Sequence, residues 1–416
     1  MHKIERLLQT LAPKGVEFRK LGEVCEIIRG KRVTKKEILD KGKYPVVSGG
    51  IGFMGYLNEY NREENTITIA QYGTAGFVNW QNQKFWANDV CFSVIPKETL
   101  INRYLYYVLT NMQNYLYSIS NRSTIPYSIS SNNIMQITIP IPPLEIQQEI
   151  VKILDAFTEL KARKKQYQYY QNMLLDFNGI NSNHKDAKER LVQKTYPKRL
   201  KTLLQTLAPK GVEFKTLEEV FEIKNGYTPS KNNPEFWEKG TIPWFRMEDI
   251  RENGRILKDS IQHITPKALR GKKLFPKNSI IISTTATIGE HALLIVDSLA
   301  NQRFTFLSKK ANCNLALDMK FFFYQCFLLG EWCKNNTNVS GFASVDMTAF
   351  KKYKFPIPPL EVQQEIVKIL DQFSLLTTDL LAGIPAEIKA RKKQYEYYRE
   401  KLLTFKPLTP NKEVKK

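Results

Sequence analysis

The sequence has few of the residues that build disulfide frameworks or zinc sites. Five cysteines and four widely spaced histidines occur among 416 residues, and no two cysteines form a C-x-x-C pair. An odd number of thiols without this spacing argues against a disulfide-bonded secreted protein and against a zinc site. We therefore expect a cytoplasmic protein whose own residues bind no metal ion.

Long apolar runs and acidic residues are also scarce. No uninterrupted apolar run reaches the length of about 18 residues that predicts a membrane-spanning helix, and residues 1–11 carry charges in place of an apolar secretory core. Against 41 Asp and Glu stand 62 Lys and Arg, which gives a net charge of +21. This excess favours a polyanionic partner, nucleic acid or an acidic membrane face, although a highly soluble surface would also account for it.

Internal repetition is the strongest signal that is present. The blocks that occur twice are LLQTLAPKGVEF (residues 7–18 and 203–214), IPPLEIQQEIVKILD with one change (141–155 and 357–371) and KARKKQY (161–167 and 389–395). Repeats of this length and fidelity indicate a tandem duplication. Two modules also match the length of the chain, which exceeds what one hydrophobic core supports.

Between the repeated blocks the two copies diverge, but a few residues keep their places. The matched pairs are Gly30 and Gly226, Gly76 and Gly289, and Asn88 and Asn301. Short β-branched runs predict strands at 66–71, 89–95, 279–283 and 303–307, and helical spacing predicts helices at 103–116 and 319–333. We therefore expect two α+β modules that share a scaffold and differ in their surface residues.

The last part of each copy is predicted to be a long helix. Proline pairs at 142–143 and 358–359 mark the entry, because proline suits the first turn of a helix and not its interior. The first block predicts one continuous helix over 144–177, whereas Gly383 and Pro385 predict a break in the second block. Apolar residues at heptad spacing favour antiparallel packing of the two stripes on each other. The stripe residues are Ile150, Ile153, Phe157, Leu160, Tyr167, Leu174, Ile366, Ile369, Phe373, Ile388, Tyr395 and Leu402.

Two features together carry a family resemblance. Each divergent region is followed by the block P-x-P-P-L-E-x-Q-x-x-I-V-x-x-L-D, and each helical block ends in K-Q-Y-x-Y-Y-x-x-x-L-L-x-F, at 165–177 and 393–405. In this arrangement, over nearly its whole length, the chain resembles the specificity (S) subunit of type I restriction–modification systems.

The resemblance implies an α+β fold with two pseudo-repeated target-recognition domains joined by long antiparallel coiled-coil spacer helices. The implied boundaries are a first recognition domain at 1–143, a spacer helix at 144–177, a linker at 178–199, a second recognition domain at 200–359, a second spacer helix at 360–405 and a basic tail at 406–416.

The same resemblance implies a non-catalytic subunit that binds double-stranded DNA. Each domain would read one half of a bipartite, asymmetric target. The helices would dock two methyltransferase subunits and, through them, two restriction subunits. S-adenosylmethionine, ATP and Mg²⁺ would be bound by these partners, and this chain would bind no cofactor and no membrane.

Polar loops of the two domains supply the candidate DNA contacts. Lys and Arg are expected on phosphates, and polar or aromatic side chains at base edges. In the first domain the candidates are Lys31, Arg32, Lys35, Lys36, Tyr72, Thr74, Asn79, Trp80, Arg122, Ser123 and Thr124. In the second domain they are Tyr227, Thr228, Ser230, Lys231, Thr284, Thr285, Thr287, His291, Asn338 and Ser340.

Two other functions remain open at this point. Glu248, Asp249 and Glu252 could hold Mg²⁺ in a metal-dependent nuclease, although acids beside several arginines are more often a salt-bridged surface. The charge and the aromatic residues would also suit an RNA-binding scaffold. The glycines at 50–55 satisfy G-x-G-x-x-G, but the polar segment after them does not predict the helix that a dinucleotide site needs, so we interpret them as turn residues.

Overall fold

A computed structural model describes residues 3–123, 125–182, 186–338 and 343–382, together with 403 and 405. The chain forms two compact units, Met1–Ala162 with Thr378–Lys416, and Arg163–Thr377. Each unit contains one of the divergent copies. The predicted stripe residues Ile388, Tyr395 and Leu402 and the predicted helix break at Gly383 and Pro385 lie outside the described residues.

The first unit is built from short strands and helices. Its helices are α1 (Lys3–Leu11), α2 (Leu21–Val24), α3 (Asn102–Asn111), α4 (Gln113–Ser118), α5 (Ser131–Met135) and the first half of α6 (Leu144–Leu175). Its strands are β1 (Glu17–Lys20), β2 (Cys25–Arg29), β3 (Tyr44–Val47), β4 (Tyr56–Leu57), β5 (Thr66–Ala70), β6 (Val78–Gln81), β7 (Trp86–Ala87), β8 (Cys91–Pro96) and β9 (Thr138–Ile141). The strands form sheets of order β2-β8-β5-β6, β4-β3-β7 and β1-β9.

The second unit begins with the rest of α6. Its further helices are α7 (Ala187–Gln193), α8 (Lys198–Leu207), α9 (Leu217–Val220), α10 (Met247–Asn253), α11 (Met319–Asn335), α12 (Met347–Lys351) and α13 (Leu360–Ala382), with 3₁₀ turns at Pro234–Phe236 and Pro266–Leu269. Its strands are β10 (Glu213–Thr216), β11 (Phe221–Asn225), β12 (Ile242–Phe245), β13 (Ile256–Leu257), β14 (His263–Ile264), β15 (Ile280–Ser283), β16 (His291–Leu294), β17 (Leu299–Ala300), β18 (Phe304–Lys309), β19 (Thr337–Asn338), β20 (Ser344–Val345) and β21 (Lys354–Ile357).

The two units repeat one topology, as the duplicated sequence predicts. The second unit has sheets of order β11-β18-β15-β16-β13, β14-β12-β17 and β10-β21, which match the three sheets of the first unit, and a further two-stranded sheet β19-β20. The additional strand β13 lies at one edge, parallel to β16. In both units the short central strand pairs in parallel, β3 with β7 and β12 with β17. The prediction of two pseudo-repeated α+β domains is confirmed.

The repeated sequence blocks meet each other in space. Strand β1 begins in the last two residues of the first repeated block and pairs antiparallel with β9, which enters the second block, so that Glu17 lies opposite Ile141. In the other unit β10 pairs with β21 in the same register, and Glu213 lies opposite Ile357. Within each unit, the near-identical segments therefore pair with each other as a two-stranded sheet, and the divergent strands lie between these segments in the sequence.

A fully buried glutamine joins each long helix to the domain before it. Gln147 in α6 and Gln363 in α13 are both 0% exposed, and their side-chain amides bond main-chain atoms. In the first unit Gln147 accepts from the N–H of Ile101 (2.8 Å) and donates to the carbonyls of Thr99 (3.0 Å) and Pro142 (2.8 Å). In the second unit Gln363 accepts from the N–H of Asp318 (2.8 Å) and donates to the carbonyls of Ala316 (2.9 Å) and Pro358 (2.7 Å). Since the partners are main-chain atoms, this contact does not depend on the side chains of the divergent domain.

An aspartate two turns further along each helix makes a second repeated contact. Asp155 pairs with Arg103 (2.7 Å) and accepts from the hydroxyl of Tyr107. Asp371 pairs with Lys320 (2.6 Å) and accepts from the hydroxyl of Tyr324 (2.6 Å). Burial, together with the neighbouring carboxylate, raises the pKa of both phenols, so each remains a hydrogen-bond donor. A helix of each unit, α3 or α11, is thereby fixed against the long helix that follows.

The predicted apolar stripe lies largely inside the two cores. Ile150, Ile153, Phe157 and Leu160 are buried in the core of the first unit, which also contains Leu403. In the second unit Leu174 and Ile366 are buried, whereas Tyr167, Ile369 and Phe373 are half-buried. The ring of Tyr170 stacks on Phe373 with centroids 5.0 Å apart, and Tyr167 lies 6.5 Å from the same ring. The stripe thus serves the domain cores as well as contacts between helices.

Several predicted elements agree with the structure within a few residues, and two differ. The predicted strands correspond to β5, β8, β15 and β18, and the first long helix runs unbroken over Leu144–Leu175 as predicted. The predicted helix 103–116 is divided at Met112, because the chain turns there and the amide of Gln113 bonds Gly76 and Val78 in the β5–β6 hairpin.

The segment 178–199, predicted as a linker, contains helix α7 with Leu191 buried. Tyr196 beyond this helix donates to the carbonyl of Asp176 (2.6 Å). Ile180 and Ala187 are buried as well, so four apolar side chains pack this segment into the second unit although its composition is mostly polar.

Replacing Gln147 with alanine should destabilise the protein, because one buried N–H and two buried carbonyls lose their partner. We expect the free energy of unfolding to fall by about 2–4 kcal/mol. The neighbouring Gln148 is exposed on the same helix, and Gln148→Ala should cost less than about 0.5 kcal/mol. Denaturant unfolding of both variants makes the comparison. Equal effects of the two substitutions would show that the buried amide does not anchor the helix.

Candidate nucleic-acid interface

Each unit presents the same cluster of loops at the end of its central strands. In the first unit Ser128 pairs with both Tyr72 and Asn121. In the second unit Ser344 pairs in the same way with Thr285 and Asn338. These bridges join the loop after β5 or β15 to the segment that returns toward the long helix. We define the recognition loops of the first unit as the loops after β2, β3 and β5 together with this returning segment. The recognition loops of the second unit are their counterparts.

A glycine holds the first recognition loop close to the sheet in both units. A Cβ atom on Gly30 would lie 2.1 Å from the carbonyl oxygen of Asn88, and one on Gly226 would lie 2.4 Å from that of Asn301. Any larger residue would push the loop away, because atoms cannot approach so closely. The residue after each glycine donates its N–H to the same place in strand β7 or β17, at 2.9 Å and 2.8 Å. The matched glycines of the two copies therefore mark a shared frame.

The first unit surrounds its loops with exposed cations. Lys31, Arg32, Lys35 and Lys36 are all exposed in the loop after β2, as predicted for side chains that contact phosphates. Trp86 fixes the start of this loop, since its indole N–H donates to the carbonyl of Lys31 (2.9 Å).

Further candidates of the first unit lie beside the neighbouring loops. Tyr72 is exposed, and Thr74 donates its hydroxyl to the carbonyl of Gly49 (2.7 Å). Arg122 lies 5.3 Å from the ring of Tyr117 and 5.4 Å from that of Tyr127. The structure therefore brings the candidates at 72, 74 and 122 near one another through the bridges at Ser128. Ser123 is exposed and donates to the side chain of Asn121, and Thr124 lies outside the described residues.

The glycine-rich segment at 49–55 belongs to this surface, which the sequence interpretation missed. Its apolar side chains point outward: Ile51 is 69% exposed and Phe53 is 49% exposed. Ile125 on the returning segment is 91% exposed. Exposed apolar residues set among cations are a common feature of surfaces that insert side chains into DNA grooves. In the sequence, the alternation of glycine with large apolar residues could have indicated this exposed segment.

Two candidates of the first unit were predicted to lie in a polar loop, and this prediction is wrong. Asn79 and Trp80 stand in strand β6, opposite Thr68 and Ile67. The ring of Trp80 packs against the guanidinium of Arg103 at 4.7 Å, beneath helix α3. The tryptophan is therefore a structural residue at the edge of the core.

The second unit presents a different set of side chains on the same frame. Tyr227 and Thr228 are half-buried and Ser230 and Lys231 are exposed in the loop after β11, with the ammonium of Lys272 4.8 Å from the ring of Tyr227. Further along the chain, the candidates at positions 285 and 287 are half-buried and the one at 338 is exposed, while Ser340 lies outside the described residues.

Two candidates of the second unit are buried and cannot contact a groove in this fold. Thr284 shares a hydrogen bond with the hydroxyl of Thr305 (3.0 Å). His291 stands in β16 under helix α11, with its ring 4.6 Å from Phe327 and 5.4 Å from Phe323. Burial, with a smaller contribution from Arg255, lowers the pKa of His291 to about 3. The prediction that His291 lies in a polar loop is wrong, because the residue pairs within the sheet.

A cationic cleft in the second unit was not predicted. Lys231, Arg246, Arg251 and Arg303 line a cavity of about 330 Å³, together with the carboxylate of Glu248. We call this cavity the cationic cleft. Its cations come from three separate segments of sequence, so no local motif revealed it.

Two of the three acids considered for a nuclease, Glu248 and Asp249, make contacts within the protein. Asp249 is buried, and its carboxylate accepts from the N–H of Arg246 (2.6 Å) and of Ile261 (2.6 Å). Glu248 lies 3.9 Å from the guanidinium of Arg246. Over the described residues, no group of three His, Cys, Asp or Glu side chains is placed to hold a metal ion. The five cysteines are free thiols, and burial raises the pKa of Cys25 and of Cys91 to about 12.

None of the helices in the described part of the chain is long and apolar enough to cross a membrane.

Comparison with known proteins identifies the family. The profile described as "Type I restriction modification DNA specificity domain" matches residues 13–168 and 209–390. The EcoR124I/EcoR124II specificity subunit of Escherichia coli is 32% identical over 444 residues, which cover 98% of both chains. The EcoprrI specificity subunit of Escherichia coli is 58% identical over 202 residues, which span 47% of this chain and 50% of that relative. A crystal structure of the S subunit from M. genitalium aligns over 95% of this chain and 97% of its own, with 18% identity and a TM-score of 0.48.

The chain belongs to the family of type I restriction–modification DNA specificity subunits. Members of this family are non-catalytic DNA-recognition proteins that themselves carry no cofactor. The nuclease and RNA-scaffold interpretations have no support from these comparisons.

The buried histidine predicts a pH dependence of stability. In the unfolded chain a histidine titrates near pH 6.5, whereas the folded protein keeps His291 neutral down to about pH 3. The stability that depends on the neutral ring is therefore complete above pH 6.5 and is lost as the pH falls toward 3. Relative to His291→Gln, the wild-type free energy of unfolding should drop by about 1.4 kcal/mol between pH 7 and pH 5.5. Denaturant unfolding at both pH values tests this, and parallel pH profiles for the two proteins would contradict the burial of His291.

Proposed function

We propose that this specificity subunit reads a bipartite, asymmetric DNA target, with one half read by each unit. The observation that carries the proposal is the duplicated frame of recognition loops. The frame repeats at Gly30 and Gly226 and at the bridges of Ser128 and Ser344. The side chains presented on it differ between the copies. Two like scaffolds with unlike surfaces are what an asymmetric two-part target requires.

The proposed division of contacts follows from exposure and charge. The exposed Lys and Arg side chains of the first unit would bind phosphates. Tyr72, Thr74 and the exposed apolar side chains of Ile51 and Phe53 would meet base edges. The proposed contacts of the first unit are Lys31, Arg32, Lys35, Lys36, Tyr72, Thr74, Arg122 and Ser123. Those of the second unit are Tyr227, Thr228, Ser230, Lys231, Thr285, Thr287 and Asn338. The net charge of +21 supports strong, salt-dependent attraction to the duplex.

The long helices are proposed as the spacer between the two readers. The recognition domains would be residues 1–143 and 200–359, and the spacer helices 144–177 and 360–405, packed antiparallel as a coiled coil. The contacts of Tyr167 and Tyr170 with Phe373 support this packing. A helix rises about 1.5 Å per residue and DNA about 3.4 Å per base pair, so two or three added residues would move one reader by roughly one base pair.

The same helices are proposed to dock partner subunits. Two methyltransferase subunits would bind them, and two restriction subunits would join through the methyltransferases. S-adenosylmethionine, ATP and Mg²⁺ would be bound by those partners. A DNA target of this kind also implies a cytoplasmic protein.

Exchange of one set of recognition loops tests whether each unit reads its half of the target independently. Residues 30–130 are replaced by the corresponding segment of another family member, and the chain is assembled with its methyltransferase partners. Selection from a randomised duplex library should show one half of the target changed and the other half retained, because the two frames are separate. The reciprocal exchange in the second unit is the matched control. A change in both halves after a single exchange would contradict the proposal.

A further inference from the structure

We propose that the cationic cleft of the second unit takes the edge of a guanine, with Arg246 as the residue that reads it. This inference rests on the proposed DNA-reading function and assigns a base to one place in one half of the target. It begins from a cavity of about 330 Å³ that lies among the recognition loops of the second unit.

The charges of the cleft select an electron-rich partner. Four cations, Lys231, Arg246, Arg251 and Arg303, face one carboxylate, that of Glu248. Within the described parts of the chain, Lys231, Arg251 and Arg303 form no ion pair with an acidic side chain. Their charge is therefore available to a ligand that presents hydrogen-bond acceptors.

Arg246 differs from the other cations because its side chain is recessed. Its main-chain N–H donates to the carboxylate of Asp249, and its guanidinium lies 5.9 Å from the ring of Trp244. The side chain is 33% exposed, and its Nε atom is buried without a hydrogen-bond partner. The carboxylate of Glu248 lies 3.9 Å from this Nε, too far for a hydrogen bond, so the guanidinium keeps its donors for a ligand that supplies acceptors.

A recessed guanidinium suits a base edge better than a phosphate. Guanine presents the O6 and N7 acceptors side by side in the major groove, and a planar arginine fork matches both. Phosphates are usually bound by exposed side chains that can follow the backbone, as Lys231, Arg251 and Arg303 can. The cleft therefore combines one recessed reader with exposed cations for the flanking phosphates.

The first unit has no equivalent of this reader. The N–H of Asn88 bonds the carbonyl of Val47, and the N–H of Asn301 bonds that of Phe245, each at 2.9 Å, so the residue after each carbonyl is equivalent. That residue is Ser48 in the first unit and Arg246 in the second. Two residues after the matched asparagines stand Val90 and Arg303. The guanine is therefore expected in the half-site of the second unit alone.

The test measures base preference at every position of the target, with the chain assembled with its methyltransferase partners. Arg246→Gln should relax the preference for G·C at one position of one half-site by about ten- to 100-fold and leave the other half unchanged. Arg246→Lys, which keeps the charge and loses the fork, should relax the same position. Arg251→Gln is the matched control and should weaken binding to all sequences about equally.

A second measurement uses the wild-type protein and modified DNA. Replacing the guanine of that position with 7-deazaguanine removes the N7 acceptor, and binding should weaken about tenfold there, with no comparable loss at guanines of the other half-site. A uniform loss of affinity in Arg246→Gln, or full binding of 7-deazaguanine throughout the second half-site, would overturn the inference. A wild-type complex without any position-dependent preference would instead overturn the proposed function itself.

Discussion

The architecture depends on one buried hydrogen-bonding group that occurs twice, the amide of Gln147 and of Gln363. Each amide joins a long helix to a recognition domain through main-chain atoms. Main-chain atoms are the same whatever side chains the domain carries. The domain can therefore change its sequence while the helix that holds it stays nearly constant, and the sequence shows this division between a repeated block and divergent loops. The paired contacts at Asp155 and Asp371 fix the same joint at a second point.

On this shared frame the two units present different chemistry. The first carries an outward-facing glycine-rich segment with Ile51 and Phe53 among exposed lysines. The second carries the cationic cleft, where Arg246 stands in the place of Ser48. A frame that is held by main-chain contacts and by Gly30 and Gly226 tolerates such differences, because these contacts do not involve the side chains that differ. Divergence of the loops is then a consequence of how the domains are anchored.

Much of the fold could be predicted from the sequence, because exact repetition and local periodicity are recorded in it. The duplication, the strands at 66–71 and 279–283 and the unbroken helix α6 are of this kind. The candidate site was predicted less well. His291 and Trp80 are polar or amphipathic residues near loops, and only the pairing of β16 and β6 shows that they belong to the interior. The cationic cleft gathers residues 231, 246, 251 and 303 through tertiary structure, which no local pattern records.

The central claim is that two unlike readers are held at a fixed separation by a helical joint. The most direct measurement is a map of methylated bases in the DNA of cells that carry the chain with its methyltransferase partners. The account predicts two different short words separated by a constant number of unspecified base pairs. A single continuous word, or two words at variable distance, would contradict it.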